Sequence, residues 1–259
     1  MLKTESISVT IGRKNILSDV TVDFRPGEFN MILGPNGSGK STFLKVFSGE
    51  LKPTHGSVSL DDHNISSLKK EEMAKFRAVM TQQPELGFPL SVEEVVMMGR
   101  YPHFDFNPSK HDLLICYEAI MKMKIDHLTT RNYLTLSGGE KQRVQFARVL
   151  AQIWEPPLTG NRYLFLDEPL TNLDINYQQA FLVVAKELVK TNSVLIAIMH
   201  DINLSIQFGD NLIFLKQGKL VAKGKPAEII SEELIREVFE VDTKIINNPV
   251  TGGPLMVYA

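Results

Sequence analysis

The stretch "GPNGSGKST", Gly34 to Thr42, narrows the choice of fold more than any other part of this chain. It fits the eight-position glycine-rich phosphate loop, with Gly34, Gly39, Lys40 and Ser41 at the demanded places. Its glycines permit backbone angles that aim successive N–H groups inward, which makes an anion nest at the start of a helix. Such a nest needs a buried strand before it and a helix after it. "EFNMILG" reads as that strand and "STFLKVFSGE" as that helix, so an accidental glycine-rich turn is the weaker reading. Gly34, Pro35, Asn36, Gly37, Ser38, Gly39, Lys40, Ser41 and Thr42 are therefore candidate ATP-binding residues. Lys40 would reach the β- and γ-phosphates, and the Ser41 hydroxyl would ligate Mg²⁺.

Strand and helix patterns continue around the loop. "ISVTIG" and "VTVDF" alternate as half-buried strands, joined by a turn region "GRKNILSD". "GSVSLDD" is a further short strand, and "KFRAVMTQQ" is one that ends at Gln82 and Gln83. From Pro84 the texture changes. "SVEEVVMMGRYPH" and "HDLLICYEAIMKMKI" are helical in period, with no strand between them. Strands resume at "RYLFLDEP", "SVLIAIMHD" and "NLIFLKQGKL", and "KPAEIISEELIREVFEV" reads as one or two surface helices. The pattern predicts one α/β domain over 1–259. Its core lobe covers about 1–88 and 153–259, and a helical subdomain covers about 89–152.

Three strand ends carry polar groups. "YLFLDEP" closes an apolar run, suited to a strand buried on both faces, with Asp167 and Glu168. A carboxylate there is costly unless a cation meets it, and phosphate-bound Mg²⁺ is a natural partner for Asp167. Glu168 would then orient or deprotonate the attacking water. The alternative is a helix N-terminus, with Pro169 at its first position. "VLIAIMH" places His200 after a strand, and "AVMTQ" places Gln82 in the same way. A lone histidine is usually a packed or capping residue. The carboxyl ends of an open parallel sheet, however, form one ligand-binding edge, and all four features fall at such ends.

"LSGGEKQRV" is a second glycine-rich helix start. Ser137 and Glu140 form a capping box for "EKQRVQFARVLAQIW", whose Val144, Ala147, Leu150 and Ile153 share one face. Capping alone does not account for Gly138 and Gly139, which weaken a helix start. A second phosphate site would account for them. It lies at the far end of the helical insert, so a twofold partner would bring each Ser137 turn over the γ-phosphate held by the other chain's Lys40.

Composition excludes other classes. With 28 basic and 30 acidic residues the formal charge is −2, so no strong field holds the protein on nucleic acid or an anionic membrane. A lone Cys116 fits a reducing compartment. "MLKTESISVTIG" has no apolar core of a secretory signal, and runs such as "VLIAIM" fall far short of the ~20 residues that span a bilayer. Any membrane part must come from another chain. His55, His63, His103, His111 and His127 have no metal-ligand spacing.

Taken in order, "GPNGSGKST", "LSGGEKQR", "YLFLDEP", the following "LTNLD" and "MHD" resemble the motifs of ATP-binding cassette ATPases over essentially the whole chain. The resemblance implies a RecA-like phosphate-loop NTPase core with a mostly parallel sheet, an antiparallel β subdomain and an inserted helical subdomain. It also implies a head-to-tail homodimer with two ATP molecules between phosphate loops and the signature turns Ser137, Gly138, Gly139 and Glu140. It assigns Gln82 to the loop coupling nucleotide to the helical lobe and, with Ser41 and Asp167, to Mg²⁺. Glu168 becomes the catalytic base, His200 the γ-phosphate switch and Asp174 the interface aspartate. Where many members stack an aromatic residue on adenine, this chain has Thr10 and Ile11.

"RAVMTQQPELGFPLSVEEVVMMGRYPH" resembles the coupling segment of importers for iron chelates, heme and cobalamin. Leu86, Phe88, Leu90, Met97 and Met98 would offer a partner helix an adaptable apolar surface, or in part fill the small lobe's own core. The long loop in "ARVLAQIWEPPLTGNRYLFLDEP" and the closing "NPVTGGPLMV" resemble hemin-importer ATPase subunits more than siderophore or cobalamin ones. That likeness implies a peripheral subunit on the cytoplasmic face of the inner membrane. It would serve two integral-membrane permease subunits and, indirectly, a periplasmic heme-binding protein. A siderophore or cobalamin cargo is the near alternative. A soluble cassette acting on DNA or ribosomes usually shows paired cassettes, long coiled-coil insertions or basic patches, which this sequence lacks. A phosphate-loop kinase has no use for "LSGGE".

Overall fold

The structure, a computed structural model, describes residues 1–82 and 86–259. Gln83 and Pro84, the expected strand end and change of texture, lie outside the described residues. The chain divides into two compact units, residues 1–67 with 194–259 and residues 68–193.

In chain order the first unit begins with β1 (Leu2–Ile11), β2 (Lys14–Phe24), β3 (Phe29–Leu33), α1 (Lys40–Phe47), β4 (His55–Leu60) and β5 (His63–Asn64). The second unit holds α2 (Lys70–Met73), β6 (Arg77–Met80), α3 (Val92–Met97), α4 (Lys110–Lys122), α5 (Gly138–Gln152), β7 (Arg162–Asp167) and α6 (Ile175–Val189). The first unit resumes with β8 (Ser193–Ile198), α7 (Ile202–Phe208), β9 (Asn211–Lys216), β10 (Lys219–Gly224), α8 (Pro226–Ile229), α9 (Glu232–Phe239), β11 (Thr243–Asn247) and β12 (Pro254–Tyr258).

In the first unit β3 lies parallel to both β8 and β9, and β10 joins β9 antiparallel. All of β3 and β8 is buried, as expected for strands covered on both faces. Of their two polar residues, Asn30 donates to Glu28 O and Leu195 O and accepts from Asn211, and Ser193 donates to Thr191 O, so their burial is compensated. A second, antiparallel sheet runs β2-β1-β4-β5. Its long strands correct the expected turn over "GRKNILSD". The turn is only Gly12–Arg13, and β2 starts at Lys14. Register shifts between Thr4 and Ile7 and between Ile7 and Val9, with left-handed Ser6 and Asp19, break the alternation that strand reading depends on. The end of the chain also pairs, β11 with β12, a hairpin the sequence reading passed over.

In the second unit β6 and β7 are parallel, with Val79 opposite Phe165. From Val92 to Gln152 every named element is helical. Capping boxes at Ser91 and Glu94 and at Ser109 and Asp112 start α3 and α4. The helix read through "GRYPH" tightens after Met97 into a 3-10 turn over Met98–His103, where Pro102 cannot donate to an α-helical ladder. Buried Arg100 pairs there with Asp112 at 2.9 Å and donates to Ala151 O. The loop after α5 is drawn in by buried Arg162, which donates to Ile153 O, Trp154 O and Thr191 O. None of Leu86, Leu90, Met97 and Met98 is fully buried, and Phe88 is 56% exposed. Among the described residues no helix is long and apolar enough to cross a membrane.

Cys116 sits in α4 at 2% exposure, and burial pushes its thiol up to about 12. Because the thiolate is the reactive form, only about one molecule in ten thousand would carry it at pH 8. Ellman's reagent is expected to react with the native protein far more slowly than with protein in guanidinium. Equal rates in the two conditions would place Cys116 outside the core.

Candidate active site

The loop from Gly34 to Gly39 joins the buried end of β3 to α1. Lys40 is 6% exposed, and its ammonium donates to Gly34 O at 2.8 Å and Pro35 O at 3.0 Å, so the loop wraps around the charge. Gly34 has φ 151°, and a Cβ there would lie 2.1 Å from Leu215 O and 2.8 Å from Ser38 Oγ. No other residue fits. Ser38 Oγ is buried with no hydrogen-bond partner among the described residues, a polar atom poised for a ligand oxygen. Asn36, Gly37 and Ser41 are exposed, and Thr42 is half-buried. His200 follows the neighbouring strand β8. Ile32 is paired with Ile198, and Met199 N donates to Ile32 O at 3.0 Å. The phosphate loop and His200 thus leave the same end of adjacent parallel strands.

The second unit has a matching arrangement. Asp167 is the last residue of β7 and Glu168 the next; Gln82 follows β6 on the parallel neighbour. Gln82 Nε2 donates to Glu168 Oε2. Glu168 has φ 49°, a left-handed conformation that costs a non-glycine residue about 1 kcal/mol. The helix N-terminus considered for Asp167 and Glu168 is not there. Residues 168–173 turn, and α6 starts only after Asp174, whose carboxylate accepts from Tyr177 N at 3.0 Å. Asp174 is thus an exposed helix cap.

Ser137 caps α5 in a full capping box. Its N–H donates to Glu140 Oε2 at 2.7 Å, and its Oγ accepts from Glu140 N at 3.3 Å. The bond from Ser137 N–H, then the Ser137 hydroxyl, hold the Glu140 carboxyl below the usual range, with help from Arg131 and Arg143. Gly138 and Gly139 have a reason that the sequence did not reveal. A Cβ at 138 would lie 3.1 Å from Asn172 Cβ, and one at 139 would lie 2.9 Å from Asn172 O. The chain's own backbone comes close here, independently of any anion. Gln142 Nε2 donates to Pro169 O at 2.8 Å, which ties the signature helix to the residue after Glu168. A cavity of about 500 Å³ lies between the turn and Asn172, Asp174 and Tyr177. Sequence reasoning missed Gln142 and Arg143. Both are buried, yet they sit in a mostly polar run from Glu140 to Gln145 that gives no local sign of which side chains turn inward.

The candidate metal donors Ser41, Gln82 and Asp167 are all oxygens, the set a hard cation takes. No cluster of three His, Cys, Asp or Glu that could hold a metal occurs among the described residues.

The sequence profile of the ABC transporter family matches residues 17–171, from β2 through the turn after Glu168. The chain belongs to the ABC transporter family. Its curated relatives include the hemin import ATP-binding protein HmuV of Gloeobacter violaceus, 42% identical over 99% of this chain and 94% of that one. HmuV of Bordetella avium is 42% identical over 99% and 98%. Among solved structures, a dimeric ATP-binding cassette in a post-hydrolysis state with ADP and Pi aligns with TM-score 0.76. It is 26% identical and covers 87% of this chain and 98% of its own. A transporter described as metal-chelate type, facing inward, shares the fold at TM-score 0.82 and 22% identity, over 100% of this chain and 96% of its own. The chain is an ABC ATPase with the α/β phosphate-loop fold.

Proposed function

We propose that this ABC ATPase is the nucleotide-hydrolysing subunit of a bacterial hemin importer. It acts as a homodimer on two integral-membrane permease subunits at the cytoplasmic face of the inner membrane and serves a periplasmic heme-binding protein indirectly. The observation that carries the cargo reading is the length of the likeness to hemin import ATP-binding proteins, 42% identity over 99% of the chain. That span takes in the loop 154–162 and the last residues.

In this reading the backbone N–H groups from Gly34 to Thr42 and the Lys40 ammonium hold the phosphates of ATP. Ser41 and Asp167, with Gln82, would hold Mg²⁺, which when bound offsets charge on the phosphate oxygens. Glu168, oriented by the Gln82 amide, takes a proton from the attacking water, and His200 senses the γ-phosphate. Ser137, Gly138, Gly139 and Glu140 close on the partner's nucleotide, with Asp174 at the interface. Residues 89–152 act as the helical lobe that receives the permease, and 1–88 with 153–259 as the nucleotide-binding lobe.

Cargo is tested by reconstituting the chain with its permease in liposomes. ATP turnover should rise with a hemin-loaded binding protein and stay flat with siderophore- or cobalamin-loaded ones, and the reverse pattern would reassign the cargo. The shared site is tested by Ser137→Arg. The arginine adds a cation and bulk at an exposed turn, so the chain should bind ATP normally by fluorescence titration yet remain monomeric. A Ser137→Arg monomer with wild-type turnover would remove the partner's turn from the reaction.

A further inference from the structure

Arg143 is the buried charge with the least conventional surroundings. It lies in α5 at 5% exposure. Its guanidinium stacks 4.0 Å over the Tyr177 ring, one Nη donates to Lys124 O at 2.9 Å, and Nε has no hydrogen-bond partner among the described residues. A guanidinium this buried costs free energy unless its contacts secure something. The contacts join three elements. Lys124 lies in the turn just after α4, Arg143 itself lies one turn beyond the Ser137–Glu140 start of α5, and Tyr177 lies in the first turn of α6. Tyr177 N–H is the group that the Asp174 carboxylate caps.

The two surfaces meeting here are the signature turn and the Asn172–Asp174 segment, and they are packed to a tight tolerance. The Gly139 position stands 2.9 Å from Asn172 O, measured from an added Cβ. Arg143 and Tyr177 both line the cavity between them. Stacking a flat cation on a ring fixes orientation as well as distance, which a lysine ammonium does not do.

We infer that Arg143 is a positioning residue. Through the Tyr177 ring it holds the Ser137–Glu140 turn and the Asp174 segment in one register, so that both meet the partner chain as a single preformed surface. This rests on the proposed two-chain site. It goes beyond it by naming what sets that surface, and neither Arg143 nor Tyr177 touches nucleotide in this account.

The test uses full-length Arg143→Met, Arg143→Lys, Tyr177→Leu and Tyr177→Phe. Amide hydrogen exchange without nucleotide should quicken at 137–140 and 172–177 together in Arg143→Met, Arg143→Lys and Tyr177→Leu, and stay as wild type in Tyr177→Phe. In the Glu168→Gln background, ATP-driven dimerisation should weaken about tenfold or more in the first three, while the Kd of the monomer for ATP stays within about twofold. Arg143→Met with Tyr177→Leu should cost less than the two single effects added together, since both remove the same ring contact while Arg143→Met also loses the bond to Lys124 O. The inference is overturned if exchange at the two segments is unchanged, if Tyr177→Phe is as damaging as Tyr177→Leu, or if Arg143→Lys behaves as wild type. If the Arg143-intact Glu168→Gln chain itself fails to dimerise with ATP, the two-chain site falls, and the exchange measurement still decides the role of Arg143.

Discussion

Lys40→Ala should leave a folded protein that no longer binds ATP measurably. Lys40 is the first residue of α1, and its ammonium is held inside the loop by the carbonyls of Gly34 and Pro35. These bonds fix the charge where a triphosphate would meet the backbone N–H groups of the nest. A charge-assisted hydrogen bond contributes about 1.5–3 kcal/mol. Losing contacts to two phosphate groups then weakens binding by about 3–6 kcal/mol, or roughly a hundredfold to ten-thousandfold in Kd. The fold has less at stake. Two loop carbonyls lose a donor, about 1–2 kcal/mol in all, and Tm should fall by only a few degrees in a chain of this size. Titration with a fluorescent ATP analogue, alongside a melting curve, checks both halves. A Kd within threefold of wild type would move the phosphates away from Lys40.

Much of this site was legible because its chemistry is local in sequence. A phosphate nest is built from consecutive backbone groups, so "GPNGSGKS" names its residues, and the buried strand and helix on either side follow from their apolar content. The strand-end positions of Asp167, Glu168 and His200 were legible for a similar reason, since an unbroken apolar run in an α/β chain signals a buried parallel strand. The Ser137 capping box was readable from its spacing, and both of its hydrogen bonds are present.

What escaped depends on contacts distant in sequence. The close approach of Asn172 to Gly138 and Gly139 is one such contact, because no local pattern tells of a neighbour more than thirty positions away. The left-handed backbone of Glu168 and the donor role of Gln82 are likewise tertiary. So is the cap at Asp174, because the helix start lies beyond a turn that the motif "LTNLD" does not announce. In β1 and β2 the failure has a different cause. Bulges shift side chains from face to face, so period two holds only over short stretches of each strand and does not mark where the strand begins.

Glu168→Gln should preserve ATP binding, reduce turnover by a hundredfold or more, and hold two chains together as long as ATP is present. The substitution keeps shape. Gln has the size of Glu, tolerates φ 49° as well as Glu does, and its amide oxygen can still accept from Gln82 Nε2. It loses the negative charge and with it the capacity to take a proton from water, a step that contributes typically 10²–10⁴-fold. If the dimer forms around intact ATP and separates once ATP is cleaved, blocking cleavage turns a transient dimer into a lasting one. Size-exclusion chromatography with and without ATP, together with phosphate release, reads both effects. The left-handed strain sharpens the expectation, because a residue held at that cost with its carboxylate bonded by the Gln82 side-chain amide has been fixed in orientation, and orientation is what a general base requires. Phosphate release within a few-fold of wild type would show that another group accepts the proton, and Glu168 would then be left as a turn residue bonded to Gln82.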